Sequence, residues 1–167
     1  MRVRIALLAA SMIITLTSHA QDNYTPAGHE GWLVSLEKAY ALSEKTGKPI
    51  MANFTGSDWC GWCKRLSAEV FNKQAFQDWA NENVVLLELD YPQRKKLSDE
   101  QRAQNHELQQ AFQVTGFPTI WIFDLERDQT TRQFQIKAIG KMGYVPGGSQ
   151  AFTGQADQMI AQAKARQ

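Results

Sequence analysis

The sequence predicts an α/β domain in which a mixed β-sheet is covered by helices on both faces. Three observations lead there. Short apolar runs that read as strands are separated by stretches with helical periodicity, which favours parallel pairing. Two late strand-like runs joined by a turn add antiparallel pairing. The chain has 167 residues, 43% hydrophobic and 21% charged, so one ordinary core is the fitting size and a mainly disordered or fibrous protein is excluded.

The first segment reads as an address. Arg2 and Arg4 precede a mostly apolar stretch, Ile5 to Leu16, and Ser18 and Ala20 stand at −3 and −1 of a cut before Gln21. That is the layout of a secretory signal peptide over residues 1–20, and the stretch is shorter than the roughly 20 apolar residues a membrane span needs. No cysteine lies near the cut, which excludes lipid attachment there. Residues 1–20 hold two of the 18 basic residues and none of the 17 acidic ones, so cleavage turns the net charge from +1 to −1. Neither value offers a field for nucleic acid or an anionic membrane. Residues 21–31 lack apolar periodicity and read as a lead-in, leaving 32–167 as one domain.

Within it, Trp32, Leu33, Leu36, Ala39, Tyr40 and Ser43 recur at helical spacing until Gly47 and Pro49 end the helix. Pro49 to Phe54 reads as a buried strand and Thr55 to Asp58 as a loop. A helix opens at Cys60, carries Trp62, Leu66 and Val70, breaks near Asn72 and resumes through Phe76 and Trp79. Val84 to Leu89 is a second apolar strand. Gln93 to Leu97, with Arg94, Lys95 and Lys96, reads as a solvated connection, too short for a nucleic-acid patch. Ser98 followed by Gln101 is a capping box opening a helix expected to reach Val114. His106 on it has no Cys or His at ligand spacing and reads as a surface histidine. Thr119 to Phe123 is a strand, Asp124 to Gln129 a turn, and Phe134, Ile136 and Ala138 mark a half-exposed antiparallel strand. Ser149 is expected to cap a last helix with Phe152, Ala156, Met159, Ile160 and Ala163 on one face.

The chain has two cysteines, Cys60 and Cys63, in Trp59-Cys60-Gly61-Trp62-Cys63-Lys64. Two cysteines separated by two residues at a helix start close a disulfide with little backbone movement. The first sits where unpaired N–H groups and the helix dipole favour an anion, so its thiolate is stabilised and attacks a partner disulfide. The second, one turn inward, resolves the mixed disulfide. Export sharpens the point, because outside the cytosol an idle pair oxidises. Structural zinc wants four ligands and the chain offers one pair without a suitable histidine. Lys64 stands where covalent haem attachment requires histidine. No metal or cofactor is expected.

The pair follows a strand, opens a helix and precedes Gly116-Phe117-Pro118-Thr119 and another strand. On those residues, and on Phe54 to Lys64, the chain resembles the small exported thioredoxin-like proteins, over residues 32–165. The resemblance implies a thioredoxin fold, with Cys60 as exposed nucleophile and Cys63 as buried resolving thiol. It implies a cis Phe117–Pro118 bond beside the pair, with the backbone of Phe117 pairing with the substrate chain. It places Trp59 at the flank of the site and Gly143 facing it before the last helix. Trp62, in place of a proline between the cysteines, offers an apolar face to protein substrates. Thioredoxin also keeps an acid under the pair to accept the resolving thiol's proton; with a one-residue gap that position falls on Asn53, which cannot titrate. Water or another carboxylate then has to serve. Asp58 is nearest in sequence but reads as a turn or capping residue.

The expected function is exported thiol–disulfide oxidoreduction on protein disulfides and dithiols, in the reducing direction, by a monomer. Reducing duty in an oxidising compartment implies a membrane thiol carrier as electron source. The alternative is a redox-inactive peptide-binding module on the same fold with a structural disulfide.

Overall fold

A computed structural model of the protein describes residues 24, 25 and 27–166; the leader lies outside the described residues. Four strands form one sheet in the order β2-β1-β3-β4. β1 (Ile50–Thr55) is central and wholly buried, parallel to β2 (Val85–Asp90) and antiparallel to β3 (Thr119–Arg127), which pairs antiparallel with β4 (Phe134–Met142).

Strand alternation divides the core into two layers. Ile50, Ala52 and Phe54 of β1 face a cluster with Ala39 and Tyr40 of α1 (Leu36–Thr46) and Leu108 of α4 (Asp99–Ala111). Met51, Ile120 and Ile122 face the other layer, with Leu66 of α2 (Gly61–Leu66), Phe76 of α3 (Gln74–Asn83) and Phe152 of α5 (Gly148–Lys164). Between α2 and α3 the chain makes a π-helical turn, Ser67–Phe71, before the break at Asn72 and Lys73. That wider turn swings Phe71 into contact with Phe76 and Phe152, at ring-centroid distances of 4.9 and 5.5 Å.

Four expectations are corrected. Trp32 and Leu33 are not helical. Ser35 caps α1, its hydroxyl accepting from the Lys38 N–H, and so starts the helix later than the apolar spacing implied. Leu33 instead lies beside β2 as a parallel bridge to Leu87, its N–H donating to Leu86 and its carbonyl accepting from Glu88. α4 stops at Ala111, because Gln113 adopts a left-handed conformation (φ 52°) that turns Phe112 and Val114 back into the core. β3 does not turn at Asp124; its ladder with β4 continues to the Arg127–Phe134 pair. The turn forms at Asp128, whose carboxylate accepts the N–H groups of Thr130 and Thr131. Ser149 is not the cap of α5. That place belongs to Gly147 at φ 107°, and the Ser149 hydroxyl faces the Val70 carbonyl.

Candidate active site

Cys60 is the N-cap of α2, in extended conformation, and its sulfur accepts a hydrogen bond from the Cys63 N–H at 3.1 Å. The two cysteines are joined by a disulfide. In this state the two are nearly equally covered, 6% and 4% exposed, so exposure does not tell nucleophile from resolving thiol. The Cys63 N–H and the first turn of α2 point at the sulfur of Cys60, a position that favours negative charge.

Around the pair, the Phe117–Pro118 peptide bond is cis. A Cβ on Gly143 would stand 3.6 Å from the Pro118 carbonyl, so the glycine lies against the proline. Phe117 stacks on Tyr91 (5.0 Å) and meets Trp59 edge-on (5.9 Å). Trp59 is fixed by its indole N–H donating to the Tyr91 carbonyl at 2.8 Å. It can lie there because residue 56 is glycine; a Cβ would come within 2.5 Å of the indole. Tyr91 is held in turn by its hydroxyl, which donates to the Asn105 carbonyl, and burial pushes its phenol well up.

On the opposite flank Trp62 is 56% exposed and leans on Tyr144 at 5.2 Å. The Arg65 guanidinium lies over both rings, pairs with Glu69, and Tyr144 donates to Glu69 as well. The Tyr144 bond, then the Arg65 bond, hold the Glu69 carboxyl below its ordinary value. Sequence reasoning missed Arg65, Glu69, Tyr91 and Tyr144. The (i, i+4) spacing of Arg65 and Glu69 was the visible signal for two of them.

Asp58 is the turn residue its position suggested. Its carboxylate accepts the N–H groups of Gln93, Arg94 and Lys95 at 3.0, 2.6 and 3.1 Å, clamping the basic connection to the loop before Cys60. Both oxygens are occupied by these bonds, and they, that from Gln93 first, hold its carboxyl below 3.8. A carboxyl lowered by folding stabilises the fold above its unfolded value and loses that contribution as pH falls through its folded value. Thermal melts of Asp58→Asn and the parent should therefore differ at neutral pH and converge below pH 3.8.

Asn53 lies buried in β1, and its side-chain oxygen has no hydrogen-bond partner among the described residues. Across the parallel ladder it is level with Glu88 of β2. Glu88 is a carboxylate inside β2, flanked by Leu87 and Leu89 and 2% exposed, and sequence reasoning passed over it. It accepts the Gly28 N–H at 2.7 Å and meets His29 Nδ1 at 2.8 Å; His29 Nε2 meets Ser67 Oγ at 2.6 Å. A cavity of about 290 Å³ is lined by His29, Ser67, Cys63, Thr55, Lys64 and Lys95, among others. His106 is exposed on α4, as expected, beside Gln110.

A central sheet of this order, with a disulfide of CxxC spacing at a helix start, defines the thioredoxin class of fold. Residues 36–137 match the family model of the thioredoxin-like domain, and the chain belongs to that family. It is 36% identical over 118 residues to the disulfide bond reductase DsbH of Chlamydia pneumoniae, an alignment covering 71% of this chain and 66% of that protein. The chain thus spans just under two thirds of the length of that curated relative. A solved structure of a DsbH oxidoreductase superimposes with a TM-score of 0.68 at 30% identity, covering 81% of this chain and 87% of that one. A thioredoxin from Thermus thermophilus, 16% identical, shares the fold with a TM-score of 0.52 over 75% of this chain and 83% of that one.

Proposed function

We propose that the protein is an exported thiol–disulfide oxidoreductase that reduces protein disulfides. The observation that carries this reading is the Cys60–Cys63 disulfide itself, formed at the N-terminus of α2 where the Cys63 N–H already points at the sulfur of Cys60. In the reduced protein Cys60 attacks a substrate disulfide as thiolate and releases one substrate thiol. Cys63 then attacks the Cys60 sulfur, re-forming the internal disulfide and releasing the second. Phe117, Pro118 and Gly143 form the floor on which the substrate chain lies, flanked by Trp59 and Trp62. The two indoles, 40% and 56% exposed, give each flank an apolar surface that suits an unfolded or extended protein substrate. The likeness to a protein named disulfide bond reductase favours the reducing direction.

Export rests on the leader read from residues 1–20. None of the described helices is long and apolar enough to cross a membrane. Electrons for reduction outside the cytosol then come from a membrane thiol carrier that meets the same face. The molecule acts as a monomer; β4, at one side of the sheet, carries Lys137 and Lys141, charges that discourage pairing with a second copy.

The reduction potential of the pair tests the proposal against the redox-inactive alternative. Equilibration with glutathione or dithiothreitol buffers should give a value between about −270 and −120 mV, the range of working couples. A value below about −300 mV marks a structural crosslink and overturns the enzymatic reading.

A further inference from the structure

The geometry points to His29, held between Glu88 and Ser67, as the residue that takes the proton from the Cys63 thiol when the mixed disulfide is resolved. The inference rests on the oxidoreductase reading above and supplies what Asn53 cannot. An attacking thiol must lose its proton, and the buried side chain level with Glu88 on β1 is a neutral amide. The ionisable groups come instead from the neighbouring strand and from the segment before α1.

The arrangement has a direction. The Glu88 carboxylate lies on Nδ1 of His29 at 2.8 Å and accepts its proton, so the lone pair is left on Nε2. Nε2 faces the Ser67 hydroxyl at 2.6 Å. Ser67 lies one helical turn beyond Cys63, and Cys63, Ser67 and His29 line the same cavity of about 290 Å³. A water there, or Ser67 itself, connects the thiol to the imidazole. The ring is held by Trp32 and Phe71, with centroids at 5.7 and 5.9 Å. The other charges facing the cavity are Lys64 of α2 and Lys95 of the connection after β2. Further along β2, Asp90 is taken up by Ser57 and Lys95. From β1, Asn53 and Thr55 add no titrating group.

The step balances. Cys63 gives its proton through Ser67 or water to Nε2 of His29, and its thiolate attacks the sulfur of Cys60. The Cys63–Cys60 bond forms while the Cys60–substrate bond breaks, and the substrate leaves as thiolate to be protonated from His29 or solvent. Ser67 does not act as a nucleophile here. Its N–H is bonded to the Cys63 and Lys64 carbonyls within the helix, which fixes the residue beside the pair, and its hydroxyl acts only as a proton relay. His29 acts through an intermediary and is therefore a proton-positioning residue.

The reaction of the reduced full chain with 5,5′-dithiobis(2-nitrobenzoate) separates the two steps, because Cys60 releases the first thionitrobenzoate and Cys63 the second. His29→Ala and His29→Gln are each expected to leave the first phase unchanged and to slow the second by about tenfold or more. Its rate should then rise with pH as for an ordinary thiol, toward about 8.5. Added imidazole should restore the second phase in His29→Ala, which loss of packing alone would not permit. A second phase as fast as the parent's in either variant overturns the proposal. So does a slowed phase that keeps the parent's pH profile and ignores imidazole. If the parent releases no second equivalent at all, it is the oxidoreductase reading that fails.

Discussion

Serine at position 60 abolishes disulfide turnover, whereas serine at position 63 leaves the first attack intact and strands the substrate on the protein. Both variants should lose turnover by on the order of 10³-fold or more, the scale seen when one member of a catalytic unit is removed. They should differ in what accumulates. With Cys63→Ser the mixed disulfide on Cys60 has no internal thiol to resolve it, so incubation with a disulfide-bonded protein gives a covalent adduct that dithiothreitol releases. With Cys60→Ser the remaining thiol lies one turn inside α2, away from the N-cap position that favours a thiolate, and adducts stay scarce. Non-reducing gels and intact mass read both outcomes. Turnover that survives Cys60→Ser, or adducts that favour that variant, would reverse the assigned roles or remove them.

The largest loss of stability is expected at Phe76. Its side chain is fully buried in the layer that carries α2, and its ring meets Trp32, Phe71, Trp79 and Phe152 at centroid distances of 6.3, 4.9, 6.0 and 5.9 Å. Phe76→Ala removes transfer energy and leaves a cavity framed by rigid rings that relax poorly, at about 3–5 kcal/mol. Domains of this kind have about 5–15 kcal/mol in total, so the variant approaches unfolding at physiological temperature. Urea denaturation should show a lowered midpoint with unchanged slope. A shift worth less than about 1 kcal/mol would show that the aromatic cluster repacks freely. Because Phe71 ends the π-helical turn after α2, the variant should also loosen the base of the helix that bears the cysteines.

Much of this was legible in the sequence because local chemistry and tertiary context agreed. Pro49 to Phe54 and Val84 to Leu89 read as buried strands by composition, each one residue off β1 and β2, and Ser98 caps α4 by its own hydroxyl. The pair at 60 and 63 announced itself by spacing. The cis bond at Pro118 was reached through resemblance and not through any property of the dipeptide. What escaped depended on partners distant in sequence. Trp32 and Leu33 have helical spacing relative to Leu36, yet β2 recruits Leu33 as an extended neighbour. β3 runs past Asp124 because β4 supplies a ladder that no local signal reports. Glu88 interrupts a run of strand residues, a visible anomaly, but its significance needs His29 fifty-nine positions earlier in the chain. Asp58 was read correctly as a turn residue; the three N–H groups it binds lie 35 to 37 positions on.

The placement of Leu33 has one more consequence. β2 is an outermost strand, and its free backbone donors and acceptors are what a second polypeptide needs in order to add on and begin aggregating. By binding Leu86 and Glu88, Leu33 occupies part of that template with the protein's own chain. The short stretch that carries His29 thus also guards the rim of the sheet, and proteolytic trimming past Leu33 would remove the imidazole and the edge cover together.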